Sequence, residues 1–248
     1  MGVINVSPES RNVHTVARSV DEALLMADRY RTWGASLIDL GGQSSFLENP
    51  TIEAADEVSR VVPVIEALCS EEHIVSIDTW KVEVAEAAVA AGAVIVNDTG
   101  GLAEQAMRHL VARSDVAAIA VHVEGPNPHA VEEIEVREDK AEHIASLFRA
   151  LIEDLSRTGI DNVILDPGIA LNYRGDYKAY TRLQLEVIAD SRHLRTLGKP
   201  VLIPIPRKRD GHRTAVYIGL AVEHEADIIR VHDVAMACDL VELFGRTP

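Results

Sequence analysis

Residues 74–101 read IVSIDTWKVEVAEAAVAAGAVIVNDTGG, and this stretch determines the fold that the sequence predicts. Two short apolar runs rich in β-branched residues, Ile74–Ile77 and Ala93–Val96, each end in polar residues. Between them, Lys81–Ala91 is an Ala/Glu/Val segment of helical length that Gly92 closes. This order predicts a strand, a helix with a glycine stop, and a second strand.

The two predicted strands carry polar side chains where they end, Asp78 on the first and Asn97 on the second. Strands joined by a single helix lie parallel, with a right-handed crossover. Both side chains therefore belong to the same, carboxyl-terminal edge of a sheet, and we expect them to form the first pair of functional groups.

The rest of the chain repeats this unit of a strand followed by a helix. The pattern predicts strands at Val3–Val6, Ser36–Leu40, Ile74–Ile77, Ala93–Val96, Ala117–Val123, Asn162–Leu165, Val201–Ile205 and Asp227–Val231. It predicts helices at Ser19–Trp33, Glu53–Leu68, Lys81–Ala91, Leu102–Arg113, Lys140–Arg157, Tyr180–Leu197, His212–Glu225 and Ala235–Phe244. Eight such units without a Pro/Ser-rich linker favour an α/β fold with one closed (β/α)8 TIM barrel over residues 1–248. The alternative is an open doubly wound sheet, which would carry a GxGxxG turn after its first strand; this chain has none.

Composition excludes several classes of protein. The chain has 248 residues, 47% of them hydrophobic and 25% charged, which is typical of a globular domain. No apolar run approaches the roughly 20 residues that a membrane span needs. The start, MGVINV, lacks the basic and apolar segments of a signal peptide and reads better as a buried strand than as a myristoylation site. We therefore expect a cytoplasmic protein without a membrane partner.

The cysteine count and the net charge argue against further kinds of site and partner. Only Cys69 and Cys238 are present, so neither a disulfide framework nor a zinc site is supported. The net charge of −15 argues against nucleic acid as a partner. It also means that any bound anion requires a local cationic cluster, for which residues 207–209 and Arg230 are the candidates.

A parallel barrel gathers its catalytic groups at the carboxyl ends of its strands. Those ends supply Asn5, Asp39, Asp78, Asn97, His122, Asp166, Lys208, Arg230 and His232. Arg230 and His232 share a face of their strand, and together they suit a phosphate or pyrophosphate. Inward Asp and Asn side chains suit a flat ring that bears amino and lactam groups.

Strand-end polar residues also have a structural interpretation, since they often cap the following helix. For any one candidate the two interpretations weigh about equally. For Asp98, Thr99 and Asp233, capping or loop structure is the better interpretation, and Asp39 is a further candidate for a structural role.

Six motifs carry a resemblance to a known family: GVINVSPES, LIDLGGQSS, SIDTWKVEVAEAAVAAGAVIVNDTGGL, ILDPGI, PRKRDG and RVHDV. In order and spacing they resemble the dihydropteroate synthase family of pterin-binding barrels, over nearly the whole chain. That family joins a pterin methyl pyrophosphate to an arylamine, p-aminobenzoate, and releases pyrophosphate. The resemblance implies Mg2+ as a cofactor and a homodimer.

The resemblance also implies roles for individual residues. The residues implied to hold the pterin ring are Asp78, Asn97 and Asp166, with Gly168 beside them and Lys208 over the ring edge. The residues implied to hold the pyrophosphate are Asn5, Arg230 and His232, with Mg2+ at Asn5. Catalysis would then fall to Asp78, Lys208, Arg230 and His232. No protein nucleophile is required, because buried carboxylates stabilise the cationic character that develops on the pterin methylene.

Several loops depart from the family pattern. The first loop has Glu9 where the family has Asp and lacks the Asp-Gly-Gly segment. The second loop reads Gln43-Ser44-Ser45-Phe46-Leu47 in place of Glu-Ser-Thr-Arg-Pro. Pro206 and Arg209 replace the two serines of a Ser-Arg-Lys-Ser pattern, although Arg209 offers a cation to an acidic acceptor. Because loops of this kind close over a substrate, we expect weak use of p-aminobenzoate.

Four functions remain as hypotheses. The first is a dihydropteroate synthase with diverged loops, and the second is a paralogue that joins a pterin to a different amine. The third is a non-catalytic pterin-binding protein, which would have no use for the pyrophosphate residues. The fourth, a methyltetrahydrofolate-dependent methyltransferase on the same barrel, is the weakest for the same reason.

Overall fold

The structure, a computed structural model, describes residues 1–131, 133–173, 175–206 and 210–246. The strands within these ranges are β1 Gly2–Asn5, β2 Ile38–Gly41, β3 Val75–Asp78, β4 Ile95–Asp98, β5 Ala117–Val121, β6 Val163–Asp166, β7 Leu202–Pro204 and β8 Ile228–Arg230. The α-helices are α1 Val20–Trp33, α2 Ala54–Ser70, α3 Val82–Ala90, α4 Gln105–Ser114, α5 Lys140–Arg157, α6 Tyr177–Ala189, α7 Arg192–Arg195, α8 Gly211–Glu223 and α9 Val234–Leu243.

All strands run parallel, and they close into a (β/α)8 barrel. Strands β1 to β6 form one sheet in sequence order, and β7 pairs with β8. Two narrow seams join these sheets. At one, the N–H of Leu165 donates to the carbonyl of Pro200 at 2.9 Å; at the other, the N–H of Val3 donates to the carbonyl of Val231 at 3.0 Å. The predicted barrel is confirmed, and the open-sheet alternative is wrong because the first strand bonds to the segment after the last.

One predicted helix is wrong in its extent. The segment predicted as a single helix, Tyr180–Leu197, forms two helices, α6 and α7, separated at Asp190 and Ser191. Asp and Ser favour breaks of this kind, because their side chains compete with helical backbone hydrogen bonds. A 3-10 helix at Val13–Thr15, which the sequence pattern does not predict, lies between β1 and α1.

The core has two parts, which follow from the alternation of side chains along each strand. Outward residues such as Val96 and Ala118 pack against the helices in the larger cluster. Inward residues fill the barrel with a smaller cluster around Ile95, Ile119 and Leu202. The inward positions at the carboxyl ends are polar, so the barrel filling stops short of that end. Among the described helices, none has the length and apolar character to cross a membrane.

The prediction of capping or loop structure is confirmed for Asp98 and Asp233, whose carboxylates accept backbone N–H groups, and for Thr99, which lies in the turn after β4. Asp98 accepts the N–H groups of Gly100 and Leu102 at 2.7 and 2.8 Å, and Asp233 accepts that of Met236 at 3.1 Å. Thr99 lies in the wall of the cavity described below, and its buried Oγ1 forms no hydrogen bond with a described residue.

Candidate active site

A cavity of about 520 Å³ opens at the carboxyl ends of the strands. It brings together seven of the predicted site residues, which are Asn5, Asp78, Asn97, Asp166, Gly168, Arg230 and His232. These residues lie together because of the register between neighbouring strands. Asp78 lies opposite Asn97 across β3 and β4, and Asp166 lies opposite Val121 across β5 and β6.

Asp39 organises the floor of this cavity. Its side chain is fully buried and accepts the Ser76 hydroxyl at 2.7 Å, the Asn97 amide at 3.1 Å and the Arg230 Nε at 2.5 Å. All three donors lie on other strands, so Asp39 ties β2 to β3, β4 and β8. The structural role suggested for Asp39 is supported by these contacts.

Arg230 joins two carboxylates. Besides its bond to Asp39, its Nη2 donates to Asp78 Oδ2 at 2.5 Å. Burial acts to lower the pKa of Arg230, but the carboxylates of Asp39 and Asp78 outweigh it and raise that pKa. Nη1 enters no described hydrogen bond, which leaves this edge of a permanently charged guanidinium for an anion.

Two acceptors on the floor lack a described donor. Asn97 donates from Nδ2 to both oxygens of Asp39, so its amide oxygen points away from that carboxylate. This Oδ1 is buried and forms no hydrogen bond with a described residue. Asp166 accepts the Gly168 N–H at Oδ1, at 2.7 Å, and none of the described residues donates to its Oδ2. Such buried acceptors suit a ligand with several N–H donors in one plane.

Burial raises the pKa of two carboxyl groups that line the cavity, those of Asp166 and Asp78. Burial raises the pKa of Asp166 to about 7, while the Gly168 N–H and Arg230 act in the opposite direction. Burial also raises the pKa of Asp78 to about 7, against the lowering effect of Arg230. Perturbed carboxyl groups in a cleft are typical of functional sites. Donors from a bound ring would compensate for the lost hydration and favour the ionised forms.

The backbone around Gly168 permits only glycine. Its φ is +69°, and a Cβ there would lie 1.8 Å from the carbonyl oxygen of His122. Gly168 thus lets the loop after β6 pass against the end of β5 and presents its N–H to Asp166. His122 itself lies outside the cavity, edge-on to Phe148 and near Glu124.

Asn5 and His232 lie on the side of the first loop. Asn5 donates to Thr15 Oγ1 at 2.8 Å, which leaves its amide oxygen as an acceptor, and His232 Nε2 lies 2.8 Å from Asn12 Nδ2. Mg2+ takes oxygen ligands, of which proteins often supply one or two and a substrate phosphate supplies others. Within the described ranges no three His, Cys, Asp or Glu side chains form a metal cluster. Asn5 Oδ1 is an oxygen ligand of the kind that Mg2+ takes. Lys208, the remaining predicted site residue, lies outside the described residues.

The residues that sequence reasoning missed form the outer wall. They are Arg11, Asn172, Tyr173, Tyr177, Tyr180 and Gln184. Tyr180 donates to the carbonyls of Ile169 and Leu171 at 2.8 and 2.9 Å and packs edge-on against Tyr173. Tyr177 and Tyr180 lie on α6, and the clustering of three tyrosines within residues 173–180 is the signal that could have identified them.

The two rewritten loops contact each other and the barrel. Arg60 on α2 donates to Glu9 Oε1 at 2.9 Å and to the Gly42 carbonyl at 3.1 Å. Asn49 donates to the Glu9 carbonyl at 3.1 Å. Arg11 of the first loop forms an ion pair with Glu48 of the second. The loops thus form one rim over the cavity.

Comparison with known proteins agrees with this geometry. The sequence profile of a family described as pterin binding enzyme matches residues 1–237. Dihydropteroate synthase of Streptococcus pyogenes is 31% identical over 265 residues, covering 99% of this chain and 94% of that protein. The Burkholderia cenocepacia enzyme, solved with 7,8-dihydropteroate, superimposes with a TM-score of 0.83 at 28% identity, over 99% of this chain and 89% of that one. The Thermus thermophilus enzyme, solved with 4-aminobenzoate, gives 0.81 at 29% identity, over 99% and 92%.

Proposed function

The chain belongs to the pterin binding enzyme family as a dihydropteroate synthase-like transferase, and we propose that it joins a 6-hydroxymethyl-dihydropterin pyrophosphate to an arylamine. The amine nitrogen forms a bond to the pterin methylene carbon while the bond from that carbon to the diphosphate oxygen breaks. Pyrophosphate leaves with the bonding electrons, and the amine loses one proton.

One observation carries this proposal: the side chains of Asp78, Asn97 and Asp166 face one cavity, and neither Asn97 Oδ1 nor Asp166 Oδ2 accepts a hydrogen bond from a described residue. The amino and lactam N–H groups of a pterin are donors in a fixed plane, so they match this set. The carboxylates of Asp78 and Asp166 also stabilise the positive charge that develops on the pterin methylene as the diphosphate leaves. The chain's own contribution is thus to orient the ring and to stabilise this charge.

The leaving group lies, in this proposal, toward Asn5, Arg230 and His232. The edge of Arg230 that no described residue occupies attracts the diphosphate, and the Asp39 and Asp78 carboxylates hold the guanidinium in place. Asn5 Oδ1 would hold Mg2+, which when bound neutralises charge on the departing diphosphate. Lys208 completes the set on the strength of the sequence resemblance.

The binding assignment is tested with Asp166→Ala. Losing one buried charged hydrogen bond to the ring costs about 2–5 kcal/mol of binding free energy. Titration calorimetry with a pterin should therefore show at least tenfold weaker binding, by roughly 1.4 kcal/mol per factor of ten. Asp239→Ala, at an exposed carboxylate on α9, is the matched control. Unchanged pterin affinity in the Asp166 variant would remove the basis of the proposal.

The acceptor amine defines the second candidate function. The rewritten loop sequences predict weak use of p-aminobenzoate, whereas the contacts between those loops are a physical argument for a closed rim. A steady-state assay with pterin pyrophosphate, Mg2+ and p-aminobenzoate distinguishes weak from ordinary use of this amine. A kcat/KM of ~10⁴ M⁻¹s⁻¹ or above, the ordinary range for enzymes, would contradict the prediction of weak use. Pyrophosphate release without pteroate would favour the paralogue with another amine.

Three further properties belong to the proposal. We expect the whole chain, 1–248, to act as one pterin-binding domain, because helices and strands alternate along the part of it that the structure describes. We also expect a homodimer and a cytoplasmic location. Light scattering coupled to size exclusion tests the homodimer, and a mass of about 27.0 kDa, that of one chain, would contradict it.

A further inference from the structure

Arg11 and Phe46 form a stacked pair at the rim of the cavity. The guanidinium carbon of Arg11 lies 3.5 Å from the centre of the Phe46 ring, and both side chains line the cavity. Arg11 belongs to the first loop and Phe46 to the second. The stacked pair therefore joins the two loops at the rim of the cavity.

Arg11 and Phe46 lie where one end of the acceptor arylamine would be in the cavity. The acceptors on the floor are almost fully buried, with Asn97 at 2% and Asp166 at 3% exposure. The Arg11 side chain is 59% exposed. An arylamine that attacks the pterin methylene must enter from the open side, with its nitrogen pointing inward. A substituent para to that nitrogen therefore remains at the rim, where Arg11 lies.

The structure already holds a carboxylate at this guanidinium, that of Glu48. The pair is an ion pair with the Glu48 side chain 72% exposed. Ion pairs at such exposed sites contribute little to stability, so a second carboxylate can take the place of Glu48 at small cost. The face of Phe46 holds the guanidinium plane, and the forked N–H edge suits a carboxylate.

We propose that Arg11 is the specificity residue that binds the carboxylate of the acceptor arylamine, with Phe46 as its platform and Glu48 as a competing internal anion. This inference rests on the proposed transferase function and assigns a residue of this chain to the para carboxylate of its acceptor. The other candidate anion is the pyrophosphate, because the neighbouring residue Asn12 contacts His232. The experiment separates these two anions.

The test compares a charged acceptor with a neutral one of the same shape, p-aminobenzoate with 4-aminobenzamide. For Arg11→Met we expect the KM for p-aminobenzoate to rise roughly tenfold, as for loss of one hydrogen bond to a charged group. The KM values for 4-aminobenzamide and for pterin pyrophosphate should stay within about twofold. Arg11→Lys should restore part of the loss, and Glu48→Gln should lower the KM for p-aminobenzoate alone. A rise in KM for pterin pyrophosphate, or equal KM changes for both amines, would overturn the proposal.

A second measurement covers a wild-type protein that forms no product with either amine. Calorimetry then follows p-aminobenzoate binding in the presence of a pterin, pyrophosphate and Mg2+. Loss of that binding in Arg11→Met, with pterin affinity unchanged, supports the role of Arg11 even though the transferase proposal would have failed. Equal p-aminobenzoate affinity in wild type and Arg11→Met refutes the role of Arg11 whether or not product forms.

Discussion

Burial of Asp166 lowers the folding stability of the protein, while the same burial suits its carboxyl group for binding a ligand. It is 3% exposed, and burial raises the pKa of its carboxyl to about 7. In the unfolded chain the same group titrates near 3.9. Between these two values the folded protein retains a proton that the unfolded chain has lost, so this group makes stability fall as the pH rises from about 4 to 7.

We therefore predict that Asp166→Asn stabilises the ligand-free protein, and more so at high pH. Asparagine keeps an oxygen that can accept the Gly168 N–H but carries no charge. The gain in the free energy of unfolding should be roughly 1–2 kcal/mol at pH 5 and rise to roughly 4 kcal/mol at pH 8. Urea denaturation at both values measures it, with Asp239→Asn as an exposed control. A gain that is the same at pH 5 and pH 8 would contradict the assigned cause.

Gly168 gives a second prediction at the scale of one residue. An alanine there meets both an unfavourable φ of +69° and the carbonyl oxygen of His122 at 1.8 Å. Gly159 has φ +81° with nothing within 4 Å of a Cβ, so Gly159→Ala isolates the backbone effect. We expect roughly 1–2 kcal/mol of destabilisation at Gly159 and clearly more at Gly168. Denaturant midpoints compare the two, and equal losses would show that the backbone relaxes around the clash.

At the scale of elements, Lys81 connects the second loop to the barrel. Its ammonium group donates to Gln43 Oε1 at 2.6 Å, to the Ile52 carbonyl at 2.6 Å and to Glu57 Oε2 at 2.8 Å. Gln43 and Ile52 are the two ends of the loop that lines the cavity, and Glu57 is 1% exposed on α2. Lys81 itself follows β3, the strand that ends at Asp78.

We predict that Lys81→Met destabilises the protein by about 3–5 kcal/mol, because it leaves the buried Glu57 carboxylate unpaired. Adding Glu57→Gln should recover part of this loss, since no uncompensated charge then remains. Arg182→Met, which breaks the exposed Arg182–Glu186 pair on α6, serves as control and should cost at most about 0.5 kcal/mol. Urea denaturation measures all four proteins, and a Lys81 effect no larger than that of the control would contradict the connecting role.

At the scale of the whole molecule, the described contacts indicate that one part of the barrel is locally more stable than the other. Strands β1 to β6 form a continuous ladder, and β4 is buried along its length. The pair β7 and β8 joins that ladder through single bridges on either side, and every residue of β8 is half-buried. Local opening free energies follow the density of such contacts.

We therefore predict that hydrogen exchange is faster in β7 and β8 than in β4 and β5. Exchange followed by mass spectrometry on peptides covering these strands measures the difference. Pterin and pyrophosphate should slow exchange in β8, because Arg230 lies at its end beside both ligands in the proposed complex. Equal protection of all four strands without ligand would show that the seams are as stable as the main ladder.

The sequence by itself determined the barrel and the floor of its site. Alternating apolar runs and helical segments predict parallel strands, and parallel strands bring their carboxyl ends to one edge whatever the details of packing. For this reason Asp78, Asn97 and Asp166 could be placed together from local pattern alone. The same reasoning placed Asn5 and His232 in the cavity, but it did not predict the contacts that they make there.

Only the tertiary structure decided which of these groups pair. Arg230 bonds to Asp39 across 191 positions of sequence, an encounter that requires closure of the barrel. Arg11 lies over Phe46 because two irregular loops fold against each other, and no periodic pattern specifies such a contact. The raised pKa values of Asp78 and Asp166 depend on burial, which many distant segments create together. Local sequence specifies the direction of a strand and the side chain at its end, whereas side-chain pairing and desolvation arise only when the whole barrel has closed.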